Sequence, residues 1–484
     1  MDAPSQVKVI FTTDEPDLEL PESKQQLLVP SDIKRYGLSR ILNSESMLET
    51  SSPVPLDFLV PNGTFLRTSI QEYLSSEGLS SETTLALRYV RSLIPPVYEA
   101  SFEHDDWVGG VDVLSGSSPA GLLPGHAAAV PERIASASYD GLVRVWNASG
   151  ETVAVSPTAR AGGHTQRLDA VRWLSPRQLV SAGLDRKIVV WDYAEDETGF
   201  RGTLKPTMEL WGHGKAVNSL AVNGSTGRVL SASSDGRVGL WSSSKRTAPQ
   251  PDPDSLPSAV TAKKARLSGM SSSSSSATAA QRGPLAIMSL HDEPVTAAVF
   301  HPSDPTVAYT ASKDKSVKTV DLTTQREVSR LVTLHPIMCA AALPNGLVAA
   351  GSSARHITLL DPRESATVTA AMTLRGHVNM VSSLSASPDN DYSLVSGSHD
   401  STCRVWDLRS VRPAGVREDE PGTAARVSGP VYTIGREWYK GAKLPPAGDG
   451  AKVFSVVWDK SWGIVSAGED KKVQINRGRN LLSS

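Results

Sequence analysis

A twelve-residue pattern that returns seven times constrains this 484-residue chain more than any other feature. In residues 181–192, SAGLDRKIVVWD, it reads as a small-residue strand, an Asp at a tight turn, a β-branched strand and a closing Trp-Asp. Clear copies are SASYDGLVRVWN at 136–147, SASSDGRVGLWS at 231–242 and SGSHDSTCRVWD at 396–407, in which Asp140, Asp235 and Asp400 each stand six positions before Trp146, Trp241 and Trp406. Three copies are worn. TASKDKSVKTVD keeps Asp314 and has Val320 for the Trp, AGSSARHITLLD has Ala354 and Leu360 at the two positions, and SAGEDKKVQINR keeps Asp470 and carries Asn476. A unit of this size cannot bury its apolar faces alone, but stacked copies bury them against one another. The repeat therefore predicts an all-β, seven-bladed propeller over residues 97–484, an architecture used mainly for binding.

Gly-His or Leu-His precedes many copies: His164, His213 and His377 follow Gly, His291 and His335 follow Leu, and His104 lies in EHDDWV. With the Trp-Asp endings, this spacing resembles the WD-repeat proteins. The resemblance implies that each His donates to the turn Asp, which also orients a strand Ser or Thr and the indole N–H of the Trp, so that the buried polar groups satisfy one another. Three such sets are His164, Ser181, Asp185 and Trp191; His213, Ser231, Asp235 and Trp241; and His377, Ser396, Asp400 and Trp406. Ser, His and Asp in register also suggest a catalytic triad, but a trio that recurs at blade spacing beside a Trp favours the structural reading. The last copy ends one strand short of a four-stranded blade. Residues 97–102 (VYEASF) precede the first unit as residues 208–211 precede the third, so they are predicted to supply that strand, closing the ring and removing an edge.

Residues 1–92 have a different rhythm. VKVIFTT at 7–13 alternates like a strand and 26–29 gives a second; Ser31 or Asp32 is predicted to cap a helix turning Ile33, Tyr36, Leu38, Ile41 and Leu42 inward. LDFLV and TFLRT flank Pro61-Asn62-Gly63 as a hairpin, Ser69 and Glu72 form a capping box over a short helix ending at Gly78, and 83–90 is the last strand. This order predicts a ubiquitin-like α+β domain.

The same segment resembles the Notchless-type N-terminal domain through PSDIKRYGLSRILN, DFLVPNGTFLRTSIQEYL and LSSETTLALRYV. With IPPVYEASFEHDDWV at the junction, nearly the whole chain is similar to the family of WD-repeat ribosome-biogenesis factors that form a trimer with pescadillo and the block-of-proliferation protein. That resemblance implies a non-catalytic scaffold for the large ribosomal subunit, needed for pre-rRNA processing, located in the nucleolus and nucleoplasm, and removed from preribosomes by the ATPase midasin. It also implies that Glu82, in LSSETTL, enters midasin's adhesion site and completes the coordination of its Mg²⁺, while the chain has no cofactor of its own. The residue chemistry fits, because a hard divalent ion with one open position needs a single further oxygen. Glu77 is the nearest rival. Pro95-Pro96 stiffens a linker over 91–96, through which midasin's force is expected to reach the strand at 97–102. The propeller is expected to meet the block-of-proliferation protein, with Arg144, Arg186, Lys187, Lys313, Lys315 and Arg404 as exposed candidates. The alternative is a substrate receptor or adaptor in a ubiquitin-ligase or signalling complex.

Bulk properties agree with an intracellular binding protein. Lys+Arg 49 against Asp+Glu 51 leaves a net charge of −2, so contact with preribosomal RNA must be local. Cys339 and Cys403 fit a reducing compartment, no apolar run suits a membrane span, and no phosphate loop or nucleophile elbow appears. Residues 243–283, with six serines at 271–276, read as a disordered insert without strand pattern. Within it Lys263, Lys264 and Arg266 form a candidate nuclear import signal. Residues 411–450 read as a second irregular loop.

Overall fold

The structure is a computed structural model that describes residues 5–50, 52–80, 82–124, 130–256, 279–363, 371–413, 426–437 and 448–478. Lys263, Lys264 and Arg266 lie outside the described residues.

The N-terminal domain is a four-stranded sheet with two short helices. Its elements are β1 (Gln6–Thr12), β2 (Gln26–Pro30), α1 (Arg35–Leu42), β3 (Leu56–Leu59), α2 (Ile70–Ser76) and β4 (Leu85–Arg91), with strand order β2-β1-β4-β3. β1 and β4 run parallel in the middle, the ubiquitin-like arrangement. Alternation places Val7, Val9 and Phe11 of β1 and Leu85, Leu87 and Tyr89 of β4 in one core with Leu38, Leu42, Ile70 and Leu74 of the helices. Three expectations are corrected. Tyr36 is 72% exposed, since two residues before Leu38 on a helix is nearly the opposite face. The N-cap of α1 is Lys34 without a side-chain cap; Ser31 bonds Ser5 Oγ at 2.7 Å and its carbonyl accepts the Gln71 N–H. The residues after Gly63 do not form a ladder strand, making one bridge, Leu59 to Phe65. The capping box of Ser69 and Glu72 is present as the sequence predicts.

From residue 96 on, the described residues form seven sheets of at least four strands, one per repeat. Blade one runs from Val108–Leu114 to Thr152–Val155, blade two from Leu168–Ser175 to Gly202–Leu210, and blade three from Val217–Asn223 to Ala286–Ser289. Blade four runs from Val295–Phe300 to Arg326–Val332, blade five from Ile337–Ala342 to Met372–Arg375, and blade six from Val381–Ala386 to Pro430–Gly435. Blade seven has Val453–Asp459, Gly463–Gly468 and Lys472–Gly478, and its outer strand is β5 (Pro96–Glu103), paired antiparallel from Lys472↔Glu103 to Gly478↔Pro96. Apolar clusters lie between successive blades; Phe102, Val108, Val111 and Trp146 pack with Trp462, Val465 and Ile475 to join the seventh to the first. The ring is thus closed by chain from both ends.

Two segments read as irregular carry strands. Ala280–Arg282 pairs parallel to the outer strand of blade two, and Ala248 is buried between blades two and three, so the ends of the insert are fastened to the ring. Pro430–Gly435, inside the span read as a loop, is the outer strand of blade six; Arg426–Ser428 extends blade five. In both places pairing edges supplied by tertiary structure override a weak local pattern. The linker is shorter than residues 91–96, because Arg91 ends β4 and Pro96 begins β5. Among the described residues no helix is long and apolar enough to cross a membrane.

Candidate functional site

The recurring polar residues meet inside the blades as short hydrogen-bonded chains. In blade two His164 Nδ1 is 2.8 Å from Asp185 Oδ2 and Nε2 is 2.8 Å from Ser181 Oγ, which accepts the Trp191 indole N–H at 2.7 Å. Blade six repeats this with His377 to Asp400 at 2.8 Å, to Ser396 at 2.6 Å, and Trp406 to Ser396 at 2.8 Å. In blade three His213 is 3.4 Å from Asp235 and 2.7 Å from Ser231, which receives Trp241 at 2.7 Å. The link to the Trp differs from expectation: the Ser, not the Asp, takes the indole proton. A carboxylate only accepts, so Nδ1 carries the hydrogen, Nε2 accepts the Ser hydroxyl, and the Ser lone pair remains for the indole. Each Ser is fully buried and engaged on both sides, so none of the three hydroxyls faces solvent.

The other blades vary the theme. His104 contacts Ser136, which holds Trp146, but Asp140 pairs with Arg144 at 2.7 Å. His291 joins Asp314 and Thr310, with Val320 where an indole would stand. In blade five Ala354 replaces the Asp, and the His335 ring lies against His356. Blade seven uses a residue that the sequence reading missed. Arg436, 2% exposed, forks onto Asp470 at 2.8 and 2.7 Å and donates to Ser466 Oγ at 2.6 Å. A signal was present, since Gly435-Arg436 occupies the place of Gly-His. It was obscured by separation: Arg436 and Asp470 are 34 positions apart, against 23 for His377 and Asp400.

Burial pushes the imidazoles of His291 and His377 below their ordinary range, against the pull of their Asp partners. It lowers His104 to about 4, with the Arg144 charge adding to the effect. For Asp400 burial acts upward, but the His377 bond and charge, with Thr402 and the Val378 N–H, outweigh it and hold the carboxyl below its ordinary range. Both cysteines are buried; burial raises the Cys403 thiol to about 11 and Cys339 further still. Neither is a reactive thiolate.

Among the basic surface candidates, Arg144 and Lys187 are buried, because Arg144 is held by Asp105 and Asp140 and Lys187 by Glu209. Arg404 is half-buried, while Arg186, Lys313 and Lys315 are exposed; Arg186 and Lys315 occupy left-handed turn positions at φ 69° and 70°.

Glu82 stands apart from these networks, exposed on the turn between α2 and β4. The turn is pinned from behind: Ser80 Oγ accepts the Glu82 N–H at 3.3 Å and the Ser80 carbonyl accepts the Thr83 N–H at 3.0 Å. Glu77, at the C-cap of α2, is engaged by Asn62 Nδ2 at 3.3 Å. The Glu82 carboxylate has no hydrogen-bond or ion-pair partner among the described residues. Among them, also, no three His, Cys, Asp or Glu side chains converge as metal ligands. The exposed Glu82 carboxylate can offer a cation one oxygen ligand, with the remaining ligands to come from elsewhere.

Comparison with known proteins places this architecture. The NLE (NUC135) domain profile matches residues 7–74, and the WD domain, G-beta repeat profile matches 98–147, 156–192, 204–242, 282–321 and 369–407. The repeats left unmatched are those of blades five and seven. A protein of Chaetomium thermophilum called ribosome biogenesis protein YTM1 is 59% identical over 100% of this chain and 98% of its own. Its counterpart in Podospora anserina is 56% identical over 99% and 98%, and that of Neosartorya fischeri 49% over 100% and 97%. The chain belongs to the YTM1 family of ribosome biogenesis proteins. In fold alone, it resembles the crystal structure of the WD40 β-propeller domain of Doa1, at TM-score 0.52 and 18% identity, covering 80% of this chain and 98% of that one.

Proposed function

We propose that this chain is a non-catalytic scaffold of large-subunit assembly, working in a trimer with pescadillo and the block-of-proliferation protein in the nucleolus and nucleoplasm. The closed ring is the part gripped by assembly partners, with the block-of-proliferation protein on a propeller face and preribosomal RNA touched locally. The N-terminal domain is the handle by which midasin removes the factor. Glu82 supplies one carboxylate oxygen to the Mg²⁺ held in midasin's adhesion site, and the chain contributes no other ligand to that ion.

The observation that carries this reading is the exposed, unengaged Glu82 carboxylate on a turn fixed by Ser80. A preorganised donor binds with little ordering cost, and its negative charge complements the cation. Glu82→Gln keeps the shape and removes the charge. In Mg²⁺, its affinity for the isolated adhesion domain of midasin is expected to fall on the order of 100-fold, about 3 kcal/mol, while Glu77→Gln binds as the native chain does. Undiminished binding by Glu82→Gln would overturn the assignment. Purification of the native complex followed by protein identification tests the rest: pescadillo and the block-of-proliferation protein are the expected companions.

A further inference from the structure

The covalent connection between the domains, residues 92–95, is not their only junction. Arg409 follows the third strand of blade six (Thr402–Asp407), and its guanidinium is held by Asp407 at 2.8 Å and lies 3.7 Å over the Tyr392 ring. From there it crosses to the N-terminal domain. Nη2 donates to the Arg91 carbonyl at 2.9 Å, and Nη1 is 3.6 Å from Glu15 Oε1. Glu15 also accepts the Arg91 backbone N–H at 3.0 Å, so one guanidinium and one carboxylate clasp the end of β4. Beside the clasp, Leu59, Phe65 and Val90 pack with Val431 of blade six's outer strand. The Gly63 carbonyl accepts the Val411 N–H at 2.8 Å, and the Tyr432 hydroxyl donates to the Leu93 carbonyl at 2.9 Å. Gly63 is required there, because its φ is +85° and a Cβ would sit 2.4 Å from the Val411 oxygen.

The geometry of β4 gives this junction a mechanical meaning. Glu82 lies just before its first residue and the Arg409 clasp holds its last. Between them β4 is paired with β1 over Leu85–Arg88, parallel, and with β3 over Arg88–Arg91, antiparallel, so tension along it loads two ladders in shear. β5 is weaker against the same pull. It is an outer strand with one partner, and its linker end is the terminal pair Pro96↔Gly478, from which it would peel one bond at a time. We propose that blade six is the anchorage for the N-terminal domain, and that Arg409 diverts force applied at Glu82 into blade six so that the ring-closing strand is spared. The source of the force rests on the function proposed above; the diversion does not.

The test is to pull the full-length chain in an optical trap by handles on Glu82→Cys and Val328→Cys, the latter 66% exposed on the outer strand of blade four. The native thiols are buried and do not take handles. With the clasp intact, β4, the one strand of the N-terminal domain between the handles, is expected to be stripped from its sheet before any ring strand leaves. With Arg409→Ala the order reverses, and the first lengthening is that of the 8 residues of β5, about 25–30 Å. Because Arg409→Ala also loosens buried Asp407, a second variant pairs Glu15→Ala with Val431→Asp, leaving Arg409, Asp407 and Tyr392 in place. Reversal in both variants supports the proposal. Reversal in Arg409→Ala alone, or in neither, overturns it. The instrument supplies the force, so the outcome is separate from whether midasin binds Glu82.

Discussion

Blades six and seven perform the same task with different chemistry. Each ties the segment entering its first strand to the turn between its second and third. Blade six does so with a neutral imidazole set between a carboxylate and a hydroxyl, Asp400–His377–Ser396–Trp406, in which each link is one hydrogen bond. Blade seven uses an ion pair, Arg436 on Asp470, with both side chains 1% exposed, and has Asn476 at the Trp position. The Arg also reaches the Ser466 and Lys472 carbonyls at 3.2 and 2.7 Å. What the repeat conserves is therefore a connection between two backbone segments, and the side chains that make it are exchangeable as long as every buried polar group is met. The exchange does have consequences, since a buried charge that loses its partner costs much more than a neutral group that loses a hydrogen bond.

The largest expected effect follows from that asymmetry. Arg436→Met keeps the bulk of the side chain and leaves Asp470 buried and unpaired, which is expected to cost about 3–5 kcal/mol. Backbone hydrogen exchange in Gly463–Gly468 should report it as loss of protection concentrated in blade seven. Adding Asp470→Asn removes the stranded charge and should restore most of the loss. Equal protection in the native chain and the single variant would show that the pair contributes nothing.

A smaller effect separates the two designs at their shared serine. Ser396→Ala strips the Trp406 indole N–H of its acceptor and His377 Nε2 of its donor, both deep in blade six, for about 1–3 kcal/mol. Ser466→Ala removes one of several Arg436 contacts, so about 0.5–1.5 kcal/mol is expected. Matched denaturation of the two variants checks the order; a greater loss from Ser466→Ala would reverse the comparison.

These residues also show how far the sequence could be read. The Asp-to-Trp spacing of six and the preceding His gave the blades and the membership of the polar sets in blades two, three and six, because local turn geometry repeats where chemistry repeats. The closing role of β5 was legible from its position before the first unit. Arg436 was hidden by the chain inserted before Asp470. The strand Ala280–Arg282 was hidden because its pairing partner, not its composition, makes it a strand. The docking on blade six had no local signature at all: Arg409 and Arg91 are 318 residues apart, and each reads alone as surface charge. Glu82 is singled out by family resemblance alone, since an exposed loop glutamate has no pattern of its own.

The smallest expected effect, per residue, is with pH. Where an imidazole is buried neutral, the unfolded chain binds a proton near pH 6.5 and the folded chain only at lower pH. Between those values the unfolded state holds more protons, so stability falls as pH falls. His104, lowered to about 4 by burial and by Arg144, should lose about 1 kcal/mol between roughly pH 7 and 5.5. His291 and His377 shift in the same direction and add to it. Asp400, held below its ordinary range, contributes stability present above the unfolded carboxylate pKa and lost only as pH falls below about 4. Blade seven's own link contains no imidazole. Hydrogen exchange at about pH 5.5, corrected for intrinsic rates, should therefore show blades one, four and six loosening before blade seven. If blade seven loosened first, the stability of these blades would not follow the protonation of their links, and the two chemistries would differ in composition alone.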